Sequence, residues 1–202
     1  MSTATAAGYE YHPFGLPMGT VRGFMSVLIC SFFWIVLLLP DAQAIKAPIA
    51  HFFLLTLVFL AFASHPGRSS DEPTPFLPWL MRVLFVAGSA AVVAYIAYAH
   101  PDRLTTRLTP DKEEIAQWPI QLATLAGGFG VGLFMRFALG RNSPPFQTGR
   151  AWVSVIAMLM LVAETVIQFL VLPNTARQDP NSMQVWEGIV TAFVACYFGM
   201  RA

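Results

Sequence analysis

One segment of the chain, residues 47–64, limits the fold more than any other. It reads APIAHFFLLTLVFLAFAS, carries no formal charge, and is bounded by Lys46 on one side and by HPGR on the other. At about 1.5 Å of rise per residue, a helix of this length extends roughly 27 Å, close to the roughly 30 Å of a bilayer's hydrocarbon core. We therefore predict that this segment crosses a membrane as a helix.

The other apolar runs must then be helical as well, because backbone groups facing lipid have no water to bond. Of all residues, 56% are hydrophobic and only 11% are charged, against about 25% charged in soluble domains. We predict an all-α, polytopic integral membrane protein with a tail at residues 1–19 and one domain at 20–202. Six transmembrane helices, five of ordinary length plus a short C-terminal segment, are expected at about 23–40, 47–64, 76–99, from 109 onward, 152–172 and 185–200.

The connections set the arrangement and orientation of these helices. The connection 41–46 is short, so the first two helices should be antiparallel neighbours. Cationic residues then fall unequally on the two sides of the membrane, and the excess predicts a multi-pass protein of the inner (cytoplasmic) membrane with both termini in the cytoplasm. The richer side carries Arg22, Arg68, Arg82, Arg136, Arg141, Arg150 and Arg201, and the other side carries Lys46, Arg103, Arg107, Lys112 and Arg177.

Several classes of function are disfavoured by the composition. The formal net charge is +1, which argues against an extended basic surface for nucleic acid. Cys30 and Cys196 both lie in apolar runs, where a thiol behaves as a small hydrophobic group. Residues 1–19 lack the pattern of a cleaved signal peptide, so the first helix should be retained. The chain has no metal-binding cluster, catalytic triad or nucleophile elbow, and we expect a protein that is not an enzyme and has no cofactor.

Two features predict how the helices pack and meet the lipid. Gly128 and Gly132 have the G-x-x-x-G spacing that lets two helix backbones approach closely, so they should face another helix. Arg82 and Arg136 lie about one turn inside the membrane on the same side. Their long side chains reach the headgroup level, so we interpret both residues as interfacial anchors that bind phospholipids, including anionic ones.

A polar pair inside the fifth predicted helix is the candidate for an intramembrane site. Glu164 and Gln168 are one turn apart, so that a carboxylate and an amide share one face. They can bind a cation or a proton, or form an interhelical hydrogen bond that fixes packing. Glu187 lies near a membrane end beside Trp186, where an interfacial role is expected.

Histidine raises the possibility of a haem, because imidazole is a common axial ligand. His51 and His100 should lie toward the same side of the membrane and are the candidate ligands for one b-type haem. A second pair of histidines is lacking, and His100 precedes Pro101 in a polar loop. We therefore predict that the protein binds no haem and keep a haem-binding membrane anchor as the weaker alternative.

The N-terminal tail contains aromatic and apolar side chains between prolines and glycines. Burying apolar surface is favourable by about 25 cal/mol per Å², so these side chains gain from contact with a partner subunit or with the headgroup layer. The residues expected to dock in this way are Tyr9, Tyr11, Phe14 and Leu16.

Some short motifs resemble a known family of transporters. The run APIAHFFLLTLVFLAF at 47–62, the Pro-Trp pair at 78–79 and MRFALG at 135–140 are similar to the start of the fused permeases of tripartite ATP-independent periplasmic (TRAP) transporters of the TAXI type. The resemblance covers about residues 20–160. It also includes the order of five residues after the third helix: Tyr98, Leu104, Arg107, Thr109 and Asp111.

The resemblance implies only the small membrane component of such a transporter. That component braces the moving transport domain and carries no substrate or sodium site. The chain departs from the family in having Lys46-Ala47-Pro48 where an arginine is expected, and it ends where the transport domain would begin. We therefore expect a non-catalytic scaffold subunit whose partners are other integral membrane subunits and phospholipids. The alternative is an accessory structural subunit of a photosynthetic or respiratory complex.

Overall fold

The computed structural model describes residues 20–41, 45–63, 76–140, 143–174 and 180–202. Within these ranges the regular elements are all helical, which confirms the predicted all-α class of a polytopic membrane protein. The helices are α1 (Thr20–Leu38), α2 (Ile49–Ala63), α3 (Phe76–Ala99), α4 (Pro101–Leu108), α5 (Lys112–Leu139), α6 (Pro144–Val166) and α7 (Pro180–Arg201). The chain continues from α6 into a π-helical turn, Ile167–Val171, and a 3-10 turn, Leu172–Asn174. The four tail residues expected to dock on a partner lie outside the described residues.

Five of the described helices are long and apolar enough to cross a membrane, namely α1, α3, α5, α6 and α7. The short segment expected at the C-terminus is in fact part of a helix of 22 residues. It begins at Pro180. Proline is tolerated at the first position of a helix, because the backbone N–H that it lacks would have no partner within the helix there. Conversely, α2 has 15 residues, or about 22 Å. It begins after Pro48, whose carbonyl accepts the His51 amide at 3.0 Å.

The order of the helices nevertheless gives α2 a full passage through the bundle. The first turns of α1 and α3 lie side by side, since a Cβ built on Gly23 would be 3.1 Å from Cβ of Met81. The end of α1 is at the opposite end of the bundle, where Arg107 contacts it. The chain must return between α1 and α3, and α2 is the helix that does so. Six passages therefore place Thr20 and Arg201 at the same end.

The closest helix contact is between the backbones of α5 and α7. A Cβ on Gly128 would lie 2.4 Å from the carbonyl oxygen of Ala192, and one on Gly132 would lie 2.2 Å from that of Cys196. From the other side, a Cβ on Gly199 would lie 2.2 Å from the oxygen of Phe129. The contacts advance together along both helices, so α5 and α7 are parallel. The glycine pair with G-x-x-x-G spacing thus lies against a helix.

The core is built around α1 and α7, whose spans are 56% and 44% buried. Met25 and Ile29 of α1 meet Leu54 of α2 and Val194 of α7 in one hydrophobic cluster. By contrast, the spans of α3 and α5 are only 11% and 6% buried. These two helices therefore lie at the edge of the bundle.

Trp34 of α1 is accommodated by small residues of α3. Its indole ring lies over Gly88, where a Cβ would be 2.7 Å from two ring carbons. Its Nε1 donates a hydrogen bond to Oγ of Ser89 at 3.1 Å. The small-residue middle of α3 therefore receives a tryptophan from a neighbouring helix.

The polar segment after α3, which the sequence suggests is a hydrophilic connection, contains the short helix α4. Leu104 and Leu108 of α4 pack on Leu37 and Ile96. Arg107 is buried, with 4% of its surface exposed. Its Nη1 donates to the carbonyl oxygens at the end of α1, those of Val36, Leu37 and Leu39, at 2.6 to 3.2 Å. Arg107 thus satisfies carbonyls that a helix C-terminus leaves without partners.

Ionic contacts surround this arginine. Asp41 accepts from Nη2 of Arg107 at 2.8 Å and from Nη2 of Arg103 at 2.9 Å. Lys46 pairs with Asp111, which is the N-cap of α5, and the Asp111 amide donates to Glu114 at 2.9 Å. The N-cap of α5 is therefore Asp111, and Thr109 ends α4. At this end of the bundle, charged side chains therefore bond to the termini of the helices.

The packing of α5 on α7 can be tested with two glycines of the same helix. We expect Gly132→Ala to lower the free energy of unfolding by about 1–3 kcal/mol, because its methyl group would overlap the Cys196 carbonyl. Gly130 has no atom within 4 Å of a built Cβ, so Gly130→Ala should change stability by less than about 0.5 kcal/mol. Unfolding of the purified proteins in detergent measures both. Equal stability of the two variants would contradict this packing.

The ion pairs of Asp41 predict a dependence on pH. Hydrogen bonding from Arg103, followed by the charge of Arg103 and the contacts of Arg107, lowers the pKa of the Asp41 carboxyl group. A lowered carboxyl pKa stabilises the folded state above the unfolded pKa of about 3.9, and this contribution is lost as the pH falls through the folded pKa. Asp41→Asn should therefore unfold at a lower temperature than the wild type at pH 6, and the two melting temperatures should converge as the pH falls through the lowered pKa of Asp41. A constant difference over this range would show that the charge of Asp41 is not involved.

Candidate functional site

The structure joins Glu164 and Gln168 in a buried polar contact, near the end of α6. Glu164 is 1% exposed and Gln168 is 6% exposed. Nε2 of Gln168 donates to one carboxylate oxygen of Glu164 at 3.0 Å. Nε1 of Trp186 on α7 donates to the other oxygen. The carboxylate therefore connects two helices, and each of its oxygens has a donor.

Gln168 lies in the π-helical turn that follows α6. A π-helical turn is uncommon and is frequent at functional sites. Here it also places Phe169 against Phe32, with ring centroids 4.9 Å apart. The sequence predicts a regular helix through Leu172, and nothing in its pattern marks the change of helix type.

The contact of Trp186 with Glu164 could not be predicted from the sequence. Because it precedes Glu187 in a polar stretch, its expected place is at the membrane end. In the structure, its indole points to Glu164 instead. Glu187 is half-buried, and its charge interacts with those of Glu164 and Glu114. The interfacial role expected for Glu187 stays a prediction.

The arrangement favours packing over ion binding. A carboxylate that already accepts two hydrogen bonds has its charge or dipole compensated within the protein. A cation would have to compete with both donors. Among the described residues, no group of three His, Cys, Asp or Glu side chains is suited to hold a metal ion.

The two candidate haem ligands lie in different surroundings. His51 is 4% exposed, and its ring is stacked on Phe32 with centroids 3.8 Å apart. His100 is exposed and makes an edge contact with Tyr95. Phe32 thus covers the face of His51, and the structure shows no contact between the two histidines.

The two proposed interfacial anchors lie toward one end of the bundle. Arg82 is exposed in the first part of α3, and Arg136 is half-buried near the end of α5. Three further arginines of this end belong to other helices: Arg22 of α1, Arg150 of α6 and Arg201 of α7. Arg150 is only 5% exposed. We refer to these five residues as the arginine end.

Three arginines of the arginine end are close enough to a buried tyrosine to interact with it electrostatically. Tyr197 is 1% exposed, and its side chain interacts with the charges of Arg201, Arg22 and Arg150. The hydroxyl lies beside Arg201 without a well-formed hydrogen bond. The uneven count of cationic residues in the sequence was the available signal. It did not show that cations from different helices converge, because that depends on packing.

Comparisons with known proteins give no identification. No protein-family model matches the chain, and neither a curated protein nor a solved structure is detectably similar to it. The resemblance to TRAP permeases stays a prediction from short motifs. The function must therefore be inferred from the bundle itself.

Substitutions of Glu164 distinguish packing from charge-dependent binding. Glutamine can accept from Trp186 and donate to Gln168 once the amide of Gln168 turns over. We therefore expect Glu164→Gln to cost less than about 1 kcal/mol of unfolding free energy, and Glu164→Ala to cost about 1–3 kcal/mol by leaving buried donors unpaired. Thermal unfolding in detergent, followed by tryptophan fluorescence, measures both. If Glu164→Gln is as destabilising as Glu164→Ala, the negative charge itself is required.

Proposed function

We propose that this protein is a non-catalytic scaffold subunit that packs against another integral membrane subunit through the outer face of α5. The proposal is consistent with the small membrane component of a TRAP-type transporter and equally with an accessory subunit of an energy-converting complex. In both cases the chain works through contact within the membrane.

One observation carries this proposal: α5 has glycines on two faces, and α7 covers only one of them. Gly128 and Gly132 are in contact with α7, whereas Cβ atoms on Gly127 and Gly130 would meet nothing within 4 Å. Ala123 and Ala126 are also exposed and extend this face by a turn. In a membrane, small residues stabilise helix contacts because they let backbones approach. A helix that faces only lipid gains nothing from exposed glycine.

The surroundings of the small residues also fit a helix partner. Ile120 and Phe134 lie on the exposed side of α5, with 68% and 70% of their surfaces accessible. They bracket the outer glycines along the helix. A partner helix seated on Gly127 and Gly130 would therefore have large apolar side chains above and below it.

The polar groups inside the bundle support a structural role. Glu164 is bonded to Gln168 and Trp186, and Arg107 is used to hold the end of α1. A hollow beside α4, lined by Lys46, Arg107 and Glu114 among others, has no space for a water molecule. These groups bond to one another and to the ends of helices, which is what a structural role requires.

The distribution of charge supports a cytoplasmic location for both ends of the chain. Of the residues that the structure describes, five arginines and no acidic residue lie at the arginine end. The other end of the bundle contains both cations and acids. The acids at that end are Asp41, Asp102, Asp111, Glu113 and Glu114, and Glu164 and Glu187 lie further inside the bundle toward the same end. By the positive-inside rule, we propose that the arginine end faces the cytoplasm of a bacterial-type inner membrane.

Purification from native membranes tests the proposed interface. The full chain, tagged and extracted in mild detergent, should retain its partner subunit. The double variant Gly127→Leu with Gly130→Leu should lose at least about tenfold of that partner, since bulk at both positions prevents backbone approach. A matched control, Val162→Leu with Val166→Leu, enlarges exposed residues of α6 and should keep the partner.

The same experiment separates the helix face from the tail. Deletion of residues 2–18 removes the aromatic tail and leaves every described helix intact. If that deletion alone releases the partner, the tail is the interface and the outer face of α5 is not. If the glycine variant still folds and retains its partner fully, the proposal is wrong.

A further inference from the structure

Among the described residues, Glu164 is the one acidic residue that is buried. It is 1% exposed and lies within the membrane-spanning part of α6. Its two hydrogen-bond partners, Gln168 and Trp186, are both uncharged. The ion pairs of the described ranges lie at the ends of α1 and α5, and none of them includes Glu164. An ionised Glu164 would therefore be a buried negative charge without a counter-ion.

Such a charge would be costly in this place. Taking a charged group out of water is strongly unfavourable, and hydrogen bonds from neutral donors offset only part of the cost. The acids of the neighbouring helices increase it, because the charge of Glu187 on α7 interacts with that of Glu164 and with that of Glu114 on α5. The helix α1, which also packs on α6, has no charged side chain from residue 23 to 40. A buried acid without a counter-ion normally keeps its proton instead.

The cations and the histidine of the bundle do not compensate this carboxyl group. Arg150 lies about 20 Å from Glu164 along α6, at about 1.5 Å per residue. Lys112 is exposed at the start of α5. His51 of α2 is stacked on Phe32, and it forms no ion pair within the described part of the chain.

The two partners of Glu164 satisfy a protonated acid as completely as a carboxylate. The indole N–H of Trp186 only donates, so it can bond to the carbonyl oxygen of the acid. The amide of Gln168 presents its oxygen in place of its NH2 group when it turns over, so it can accept the acidic O–H. The distance of 3.0 Å between the two side chains fits either arrangement. A metal ion would displace both donors, whereas a proton requires only the turn of one amide.

We infer that Glu164 is a proton-binding site that is occupied at neutral pH. Gln168 accepts the bound proton, and Trp186 donates to the other oxygen. Release of the proton turns the Gln168 amide over and places a negative charge between α6 and α7. Gln168 lies in the π-helical turn, which begins where the amide of Ile167 is shared between the carbonyls of Ala163 and Glu164. The site does not require the partner subunit proposed for α5.

Infrared difference spectroscopy of the purified full chain in neutral detergent tests the site. A protonated carboxyl group has a carbonyl stretching band that carboxylates and amides lack. Glu164→Gln should lose this band at neutral pH, whereas the matched variant Glu187→Gln on the facing helix should keep it. Trp186→Phe should keep the band and move it to higher frequency, because the carbonyl oxygen then loses its hydrogen bond.

Thermal unfolding as a function of pH gives a second readout. A proton that is held in the folded state and released on unfolding makes the folded state less stable as the pH rises above about 4.3, the ordinary value for glutamate. The melting temperature of the wild type should therefore fall relative to that of Glu164→Gln between about pH 5 and about pH 8. A constant difference over this interval shows that Glu164 is ionised in both states and overturns the inference.

Two spectroscopic outcomes also contradict the site. One is a folded wild type without the band at neutral pH. The other is a band that remains in Glu164→Gln and disappears in Glu187→Gln, which places the proton on Glu187. If Glu164→Gln does not fold, the Trp186→Phe variant supplies the test, since an unshifted band there shows that the proton is not on Glu164.

Discussion

The direct contact between the backbones of α5 and α7 is the constraint on which the rest of the bundle depends. Van der Waals contact drives helix association in lipid, and it falls steeply with distance. The glycines at 128, 132 and 199 allow an approach that no larger residue permits. α7 also meets α2 and α6. Fixing α7 against α5 therefore sets the position of the carboxylate contact between Glu164 and Trp186.

The two ends of the bundle handle charge in different ways. Near the start of α5, cations and acids neutralise one another, and Arg107 adds bonds to the end of α1. At the arginine end, the described part of the chain contributes cations alone. Among the described residues, the two ends of the bundle therefore differ in net charge. By the positive-inside rule, the proposal places the end with more cations in the cytoplasm.

The fold could be predicted from the sequence because each long apolar run has one stable structure in lipid. The G-x-x-x-G spacing at Gly128 and the one-turn spacing of Glu164 and Gln168 were also readable, since both are local properties of a helix. The contacts that side chains make with other helices could not be predicted in this way. Trp186 was expected at the membrane end, and Arg107 in a loop, because only the packing of α4 and α7 shows what they contact. The π-helical turn after α6 has no sequence signal of its own.

The central claim is that the chain passes through the membrane six times and leaves its arginine end on one side. Labelling of single cysteines with a membrane-impermeant maleimide tests it, in a background with Cys30→Ala and Cys196→Ala. In intact cells, a cysteine at Thr109 should react and one at Ala202 should react only after the membrane is permeabilised. Reaction of both sites from the same side would contradict the six passages and the separation of the two ends.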